Sequence, residues 1–241
     1  MPHVSKTRIF GRTSGETEHL VYSMDLAAEG DIAMILPLPV EPGRGEEALA
    51  FVNLEGYPGL FDDIEKGFPQ LRPQALRSGF APRAAALTLK VHTVGAFEAS
   101  FVPHPSEFGR LDPRFRLSPE VWGALPQYDD YGFAVFRFTP GSKKTIHPMA
   151  MSFHTRFADH IFFPTVHVHD GRVHPKAEFD HSLYYQRGGA STTEGNEEVS
   201  FDTAATFVRC ADTKGLVEPA VRVWKRTLRG QMQNSDFFVK A

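Results

Sequence analysis

The chain has 241 residues, enough to bury a full hydrophobic core, and β-rich chains of this size commonly form one domain, so a single domain over 1–241 is expected. With 41% hydrophobic residues, 21 of them phenylalanine, and mixed charges that sum to only −3, neither a disordered chain nor a membrane helix of about 20 apolar residues is expected. No basic run exceeds Lys143-Lys144, so there is no electrostatic footprint for a phosphate backbone, and neither nucleic acid nor a membrane is an expected partner.

Residues 1–12 are charged and no apolar stretch of signal-peptide length follows them, which points to a cytoplasmic protein. Residues 19–27 and 31–40 are apolar runs on either side of Ala28-Glu29-Gly30, predicting two strands joined by a tight turn. Pro37 and Pro39, at alternate positions, make the end of the second run a sheet edge or an exit from the sheet. Residues 58–68 predict a short helix with Asp62, Asp63 and Glu65 early and Gly67 near its end; these carboxylates read as solvated first-turn residues, not as a metal site.

Alternation over 87–94 and 97–102, broken at Gly95, predicts a second hairpin with His92 facing solvent beside Thr88 and Lys90. Ser118-Pro119-Glu120-Val121 has the form of an N-cap followed by proline at the first helical position, which opens a second short helix toward Leu125 with Trp122 packed beneath it. Residues 131–138, 145–154, 160–169 and 172–186 predict a four-strand meander. Residues 187–199 carry no core pattern and are expected to be a mobile loop. In 200–241, Val221, Trp224 and Leu228 have helical spacing while Val221 and Val223 alternate, so periodicity leaves both helix and strand open.

Cys210 is the only cysteine, which excludes an internal disulfide and a thiolate metal cluster; a buried, inert thiol in a reducing compartment is expected. The chain lacks a phosphate loop, a dinucleotide fingerprint, a zinc helix of the H-E-x-x-H type and a G-x-S-x-G turn, so no nucleotide cofactor is expected. The expected fold class is mainly β (α+β): an antiparallel β-sandwich or a barrel with a few short inserted helices.

The most chemically loaded segment lies at 162–184. Asp170-Gly171 between two alternating runs is a strong signal for a type I′ hairpin. Its register would set His169 opposite Arg172, Val168 opposite Val173, His167 opposite His174, Val166 opposite Pro175 and Pro164 opposite Ala177. Pro164 and Pro175 fall at positions where no donor is needed across this pair, but each flank should be unpaired, bulged or diverging there. One face then carries Pro164, Val166, Val168, Val173 and Pro175; the other carries Thr165, His167, His169, Arg172, His174 and Lys176. Cross-strand neighbours stand roughly 5 Å apart, so His167, His169 and His174 are suited to converge on one ion.

This spacing, His167-x-His169 followed by His174, resembles part of the cupin metal motif, with histidine in place of the usual glutamate. The resemblance implies a cupin-like barrel with a mononuclear iron, manganese, nickel or zinc site, and copper is a further candidate for one divalent transition metal on the histidine face. His181 is a further ligand candidate, and Asp180 and Glu178 are candidate partners for an imidazole. Arg172 and Lys176 on the same face favour an anion instead, with one histidine acting as acid or base, and an exposed polar face without a site is the third reading.

Three function classes follow. One is a metal-dependent oxygenase, isomerase or hydrolase of a small molecule, with His167, His169 and His174 holding the ion. Another is a non-catalytic binding protein whose His/Arg/Lys face recognises an anionic ligand or a partner; a structural or assembly protein is a third class, which a large homo-oligomer formed through the phenylalanine-rich strand edges would favour.

Overall fold

The computed structural model describes residues 3–27, 32–69, 92–94, 97–111, 117–138, 147–168, 171–188 and 196–241. In chain order the strands are β1 (His3–Ser14), β2 (Thr17–Ala27), β3 (Ile32–Leu38), β4 (Leu49–Asn53), β5 (His92–Val94), β6 (Phe97–Val102), β7 (Gly132–Phe138), β8 (Met149–His154), β9 (His160–Phe163), β10 (Lys176–Gln186), β11 (Glu197–Thr203), β12 (Arg222–Gln233) and β13 (Phe237–Lys240). Two short helices, α1 (Leu60–Lys66) and α2 (Pro119–Gly123), and a few 3-10 turns interrupt them. The chain is mostly β with few helices, as its alternating patterns predict.

A seven-stranded sheet runs in the order β11-β12-β10-β1-β2-β8-β4, beside a four-stranded sheet β3-β7-β6-β5 and a two-stranded ribbon β13-β9. The large sheet is mixed, because β1 pairs parallel with β10 and antiparallel with β2. Its central strands are apolar on both faces. Ile9, Leu20, Met151 and Leu183 project into a cluster shared with Leu36, Phe136 and Phe163 of the other sheets. Phe10, Val21, Ala150 and Tyr184 project the opposite way, into a cluster closed by α1 and by the turns around Val208 and Leu216. Helix α1 buries Leu60, Phe61 and Ile64 there, each contributing roughly 1.5–3 kcal/mol by leaving water. A third cluster lies outside the four-stranded sheet, where Val121 of α2 meets Phe108 and Phe133, with Trp122 half-buried over both rings.

Both predicted helices form, but several expected pairings do not. The runs at 19–27 and 31–40 do not pair with each other: β2 lies between β1 and β8, and β3 pairs with β7. The hairpin partner of β2 is β1, joined to it through Gly15 at φ 59°. The expected meander is dispersed as well, with β7 on β3 and β6, β8 on β2 and β4, β9 on β13, and β10 on β1 and β12. The hairpin of β5 and β6 forms, although residues 86–91 lie outside the described residues.

Of the expected loop at 187–199, residues 189–195 lie outside the described residues, while Glu197, Glu198 and Val199 open β11. Arg222–Gln233 and Phe237–Lys240 are strands, so alternation, not helical spacing, governs the stretch around Val223, Trp224 and Leu228. Among the described residues no helix is long and apolar enough to cross a membrane.

The acidic residues of α1 are open to water to different degrees, Asp62 most of all, and each also has a partner. Asp62 pairs with Arg8 at 2.7 Å, and Asp63 accepts the Tyr57 hydroxyl at 2.6 Å and pairs with Lys66. Glu65 accepts Lys225 Nζ at 2.5 Å and the hydroxyl of Tyr184. Cys210 is half-buried, less covered than expected, and burial pushes its thiol pKa up.

Candidate functional site

The segment from Pro164 to Pro175 leaves the sheets between β9 and β10, and the two prolines mark where the ladders stop. It is not a hairpin. The strand on each side already has other partners, β13 for β9 and both β1 and β12 for β10, so the arms have no ladder between them and the expected cross-strand register is not formed. Gly171 keeps the positive φ that a tight turn requires, 73°; His169 and Asp170 lie outside the described residues.

In place of a ladder, the connection between β12 and β13, Asn234-Ser235-Asp236, braces the loop. Asn234 Oδ1 accepts the His167 N–H at 2.7 Å, and its Nδ2 donates to the carbonyls of His167 at 2.9 Å and His174 at 3.0 Å, so one amide joins both arms. The Asn234 N–H also donates to the Pro175 carbonyl at 3.0 Å. Asp236 Oδ1 accepts the N–H groups of Thr165 at 2.9 Å and Val166 at 3.3 Å, and the Thr165 hydroxyl donates to the Ser235 carbonyl at 2.9 Å. The Tyr128 hydroxyl donates to Asp236 Oδ2 at 2.5 Å. Burial pushes the Asp236 carboxyl up to about 6, against the hydrogen bonds from Tyr128, Thr165 and Val166 that favour its charged form, and burial together with the neighbouring carboxylate raises the Tyr128 phenol above its ordinary value.

The apolar side of the loop lies as its pattern predicts, with Val166, Val168 and Val173 half-buried against the third cluster. The histidines divide. His167 turns inward, stacked on Phe179 with centroids 4.7 Å apart and on His181 at 4.9 Å, and its Nε2 lies 3.2 Å from Nε2 of His181. One of the two rings donates in that contact, so one carries its proton on Nε2 and the other does not. His181 is 1% exposed, whereas His174 is exposed at the far arm.

The remaining candidates face water. Arg172, Lys176, Glu178 and Asp180 are exposed, the last three alternating along β10 while Phe179 and His181 point into the core. Asp180 sits 3.9 Å from His181 Nδ1, beyond hydrogen-bond range, and its other oxygen accepts the Lys6 N–H at 2.5 Å, holding the bulge in β1 where Lys6 has φ 52°. Asn234 and Asp236 are the bracing residues that the periodicity of 200–241 did not reveal. The cue available was compositional: Asn-Ser-Asp between two strands is turn chemistry, with short side chains that bond nearby backbone.

No protein-family model and no curated protein matches the chain. Solved structures do match its fold. Baculovirus P35 aligns over 99% of this chain and 97% of its own, with a TM-score of 0.53 and 13% identity. P35 in the caspase-8/P35 complex aligns over 98% and 96%, with a TM-score of 0.52 and 13% identity. A mutated baculovirus P35 after caspase cleavage aligns over 98% and 99%, with a TM-score of 0.52 and 14% identity.

These findings correct the metal-dependent reading. The path of the chain is similar to that of P35, not to a metal-binding cupin, and among the described residues no group of three or more His, Cys, Asp or Glu side chains is placed to hold a metal ion. The physical reason is the missing ladder. Without it nothing sets His167 opposite His174, and His167 gains aromatic contact by stacking inward.

Proposed function

We propose that this chain is a non-catalytic protein-binding protein whose partner is a protease of the caspase type. The observation that carries the reading is the likeness of fold, over nearly the whole length of both chains, to P35 in its complex with caspase-8. A second P35 structure, taken after caspase cleavage, points the same way, toward a partner that takes a segment of the binding protein into its cleft. A cytoplasmic location and a single-domain chain belong to the same reading, and one cysteine with no disulfide is compatible with a reducing compartment.

The test is direct. Recombinant caspase-8 is incubated with increasing amounts of the full chain, and residual hydrolysis of a short peptide substrate is followed alongside size-exclusion chromatography of the mixture. Dose-dependent loss of hydrolysis with co-elution is the expected result. Undiminished hydrolysis with separate elution overturns the reading.

A further inference from the structure

We infer, independently of the protease reading above, that the α1 side of the seven-stranded sheet carries a separate binding site for a carboxylate group, built by Arg12, His19, Ser152 and His154.

The first ground is register. The face that carries Phe10, Val21, Ala150 and Tyr184 turns polar one row further on, because side chains two apart along a strand share a face. Arg12 stands opposite His19 and His19 opposite Ser152, so three polar residues on neighbouring strands make one row across β1, β2 and β8. His154 follows Ser152 by two residues on that face, diagonal to His19 at roughly 7–8 Å between backbones. All four residues are half-buried, so water reaches the row while the apolar cluster beside it strengthens any charge interaction made there.

The second ground is unspent donors. Gln186, at the β10 end of the row, uses its amide on the main chain of Glu218 and Val221. The other members keep donors in reserve. Arg12 gives Nε to the Leu216 carbonyl at 3.1 Å and Nη2 to the Gly215 carbonyl at 2.7 Å, which fixes the guanidinium and leaves its Nη1 edge open to water. His19 Nδ1 lies 2.8 Å from Ser152 Oγ. If the hydroxyl donates there, the ring carries its proton on Nε2; if the ring donates, the hydroxyl hydrogen is left over, so in either case one donor remains. His154 makes no hydrogen bond within the chain: its Nδ1 is buried without a partner and its Nε2 is open.

The third ground is charge. Among the described residues no carboxylate forms an ion pair with Arg12, and Glu218 acts on it only through space. Burial first, and then the Arg12 charge, push the His19 imidazole down to about 4, so at neutral pH that ring is neutral and Arg12 supplies the permanent charge of the row. A guanidinium with one edge open matches a carboxylate in charge and in fork geometry, and the imidazole and hydroxyl donors reach lone pairs that Arg12 leaves over. A phosphate dianion would keep one charge unmet.

The test follows the ring Cε1–H signals of His19 and His154 in the full chain at neutral pH while sodium acetate replaces sodium chloride at constant ionic strength. Both signals should shift along one saturating curve. Read at His19, Arg12→Gln should weaken acetate binding about tenfold or more. His154→Leu, which breaks no hydrogen bond within the chain, should weaken it as well, and it decides alone if Arg12→Gln does not fold. Inorganic phosphate should bind more weakly than acetate. An acetylated dipeptide with a free C-terminus that binds tighter than acetate, while its amide does not bind, assigns the carboxylate to the end of a peptide; binding no tighter than acetate assigns it to a small free acid.

Ring signals that do not move with acetate, or that move equally in folded Arg12→Gln, overturn the site. Acetate affinity unchanged in His154→Leu removes His154 and the diagonal geometry with it. Phosphate binding tighter than acetate overturns the carboxylate assignment.

Discussion

Glu18 accepts the amide hydrogen of Phe162 at 2.9 Å from a position with no solvent exposure. β2 thereby holds β9 through a side chain, across a junction that no ladder spans. Burial raises the Glu18 carboxyl well above its ordinary value, outweighing the hydrogen bonds from Phe162 and Thr155 that oppose the shift.

Glu18→Gln should therefore be tolerated at neutral pH, because an amide oxygen accepts the same hydrogen without the cost of a buried charge. A raised folded pKa means that the stability this group contributes is complete below the unfolded carboxylate pKa and is lost as pH rises through the folded value. Urea unfolding across pH should show the parent weakening toward alkaline pH and Glu18→Gln lacking that part of the slope. Glu18→Ala, which leaves the Phe162 N–H orphaned, should cost about 1–3 kcal/mol at any pH.

Asp236 gives a second pH signature within a narrower window. Its carboxyl is raised to about 6, so its contribution is complete below about pH 4 and is lost as pH rises through about 6. Integrated over that window the loss is at most about 3 kcal/mol. Asp236→Asn keeps an acceptor for Thr165 and Val166 and should be flatter between pH 4 and 7. Thermal melts in a pH series check this, and a parent chain whose melting temperature is level from pH 4 to 7 would refute it.

Lys225 is 5% exposed, with its ammonium group 2.5 Å from Glu65 Oε1 and 5.8 Å from the Tyr184 ring centroid. Removing one partner of a buried pair costs about 3–5 kcal/mol, and Glu65 is open enough to water that the cost falls below that range, to about 2–3 kcal/mol for Lys225→Ala. Lys225→Met keeps the stem and should recover part of that loss. Equal destabilisation by both substitutions in chemical denaturation would show that charge, not packing, dominates.

Gly11 lies where β1 passes under the β9 ribbon, and a Cβ there would stand 2.5 Å from Ile161 Cγ2 and 3.0 Å from the Phe163 ring. Gly11→Ala should cost about 1–3 kcal/mol through overpacking, although alanine suits a strand better than glycine. Gly15→Ala should also destabilise, for a different reason, since its φ of 59° strains any residue with a Cβ while nothing lies within 4 Å. Parallel unfolding curves should show both variants below the parent, and a more stable Gly11→Ala would contradict the packing.

The residues that announced themselves in the sequence did so through local rules. Residues 58–68 carry acids early and glycine late, and α1 is Leu60–Lys66; Ser118-Pro119 opens α2; and the alternation in 97–102 and 131–138 reappears as β6 and β7. The inward face of the loop was legible for the same reason, since Val166, Val168 and Val173 are apolar at alternate positions. Periods of 2 and 3.6 follow from backbone geometry, so a chain displays them wherever it is going.

Pairing has no such mark. Nothing local in 3–14 says that β1 will lie parallel to β10, more than 160 residues later, and nothing in Asp170-Gly171 says that β9 and β10 will be claimed by β13 and β12 before they can pair with each other. Asn234 and Asp236 became the brace of the histidine loop only because the fold carries the β12–β13 turn beneath it. The sequence by itself determined that the chain is mostly β and marked several of its strands and the apolar faces they carry, but not β1, β4 or the strands after residue 196. Tertiary structure decided their partners, and so that His167 stacks on His181 rather than standing in a ladder opposite His174, because competition among strands for hydrogen-bonding edges is settled by the whole core at once.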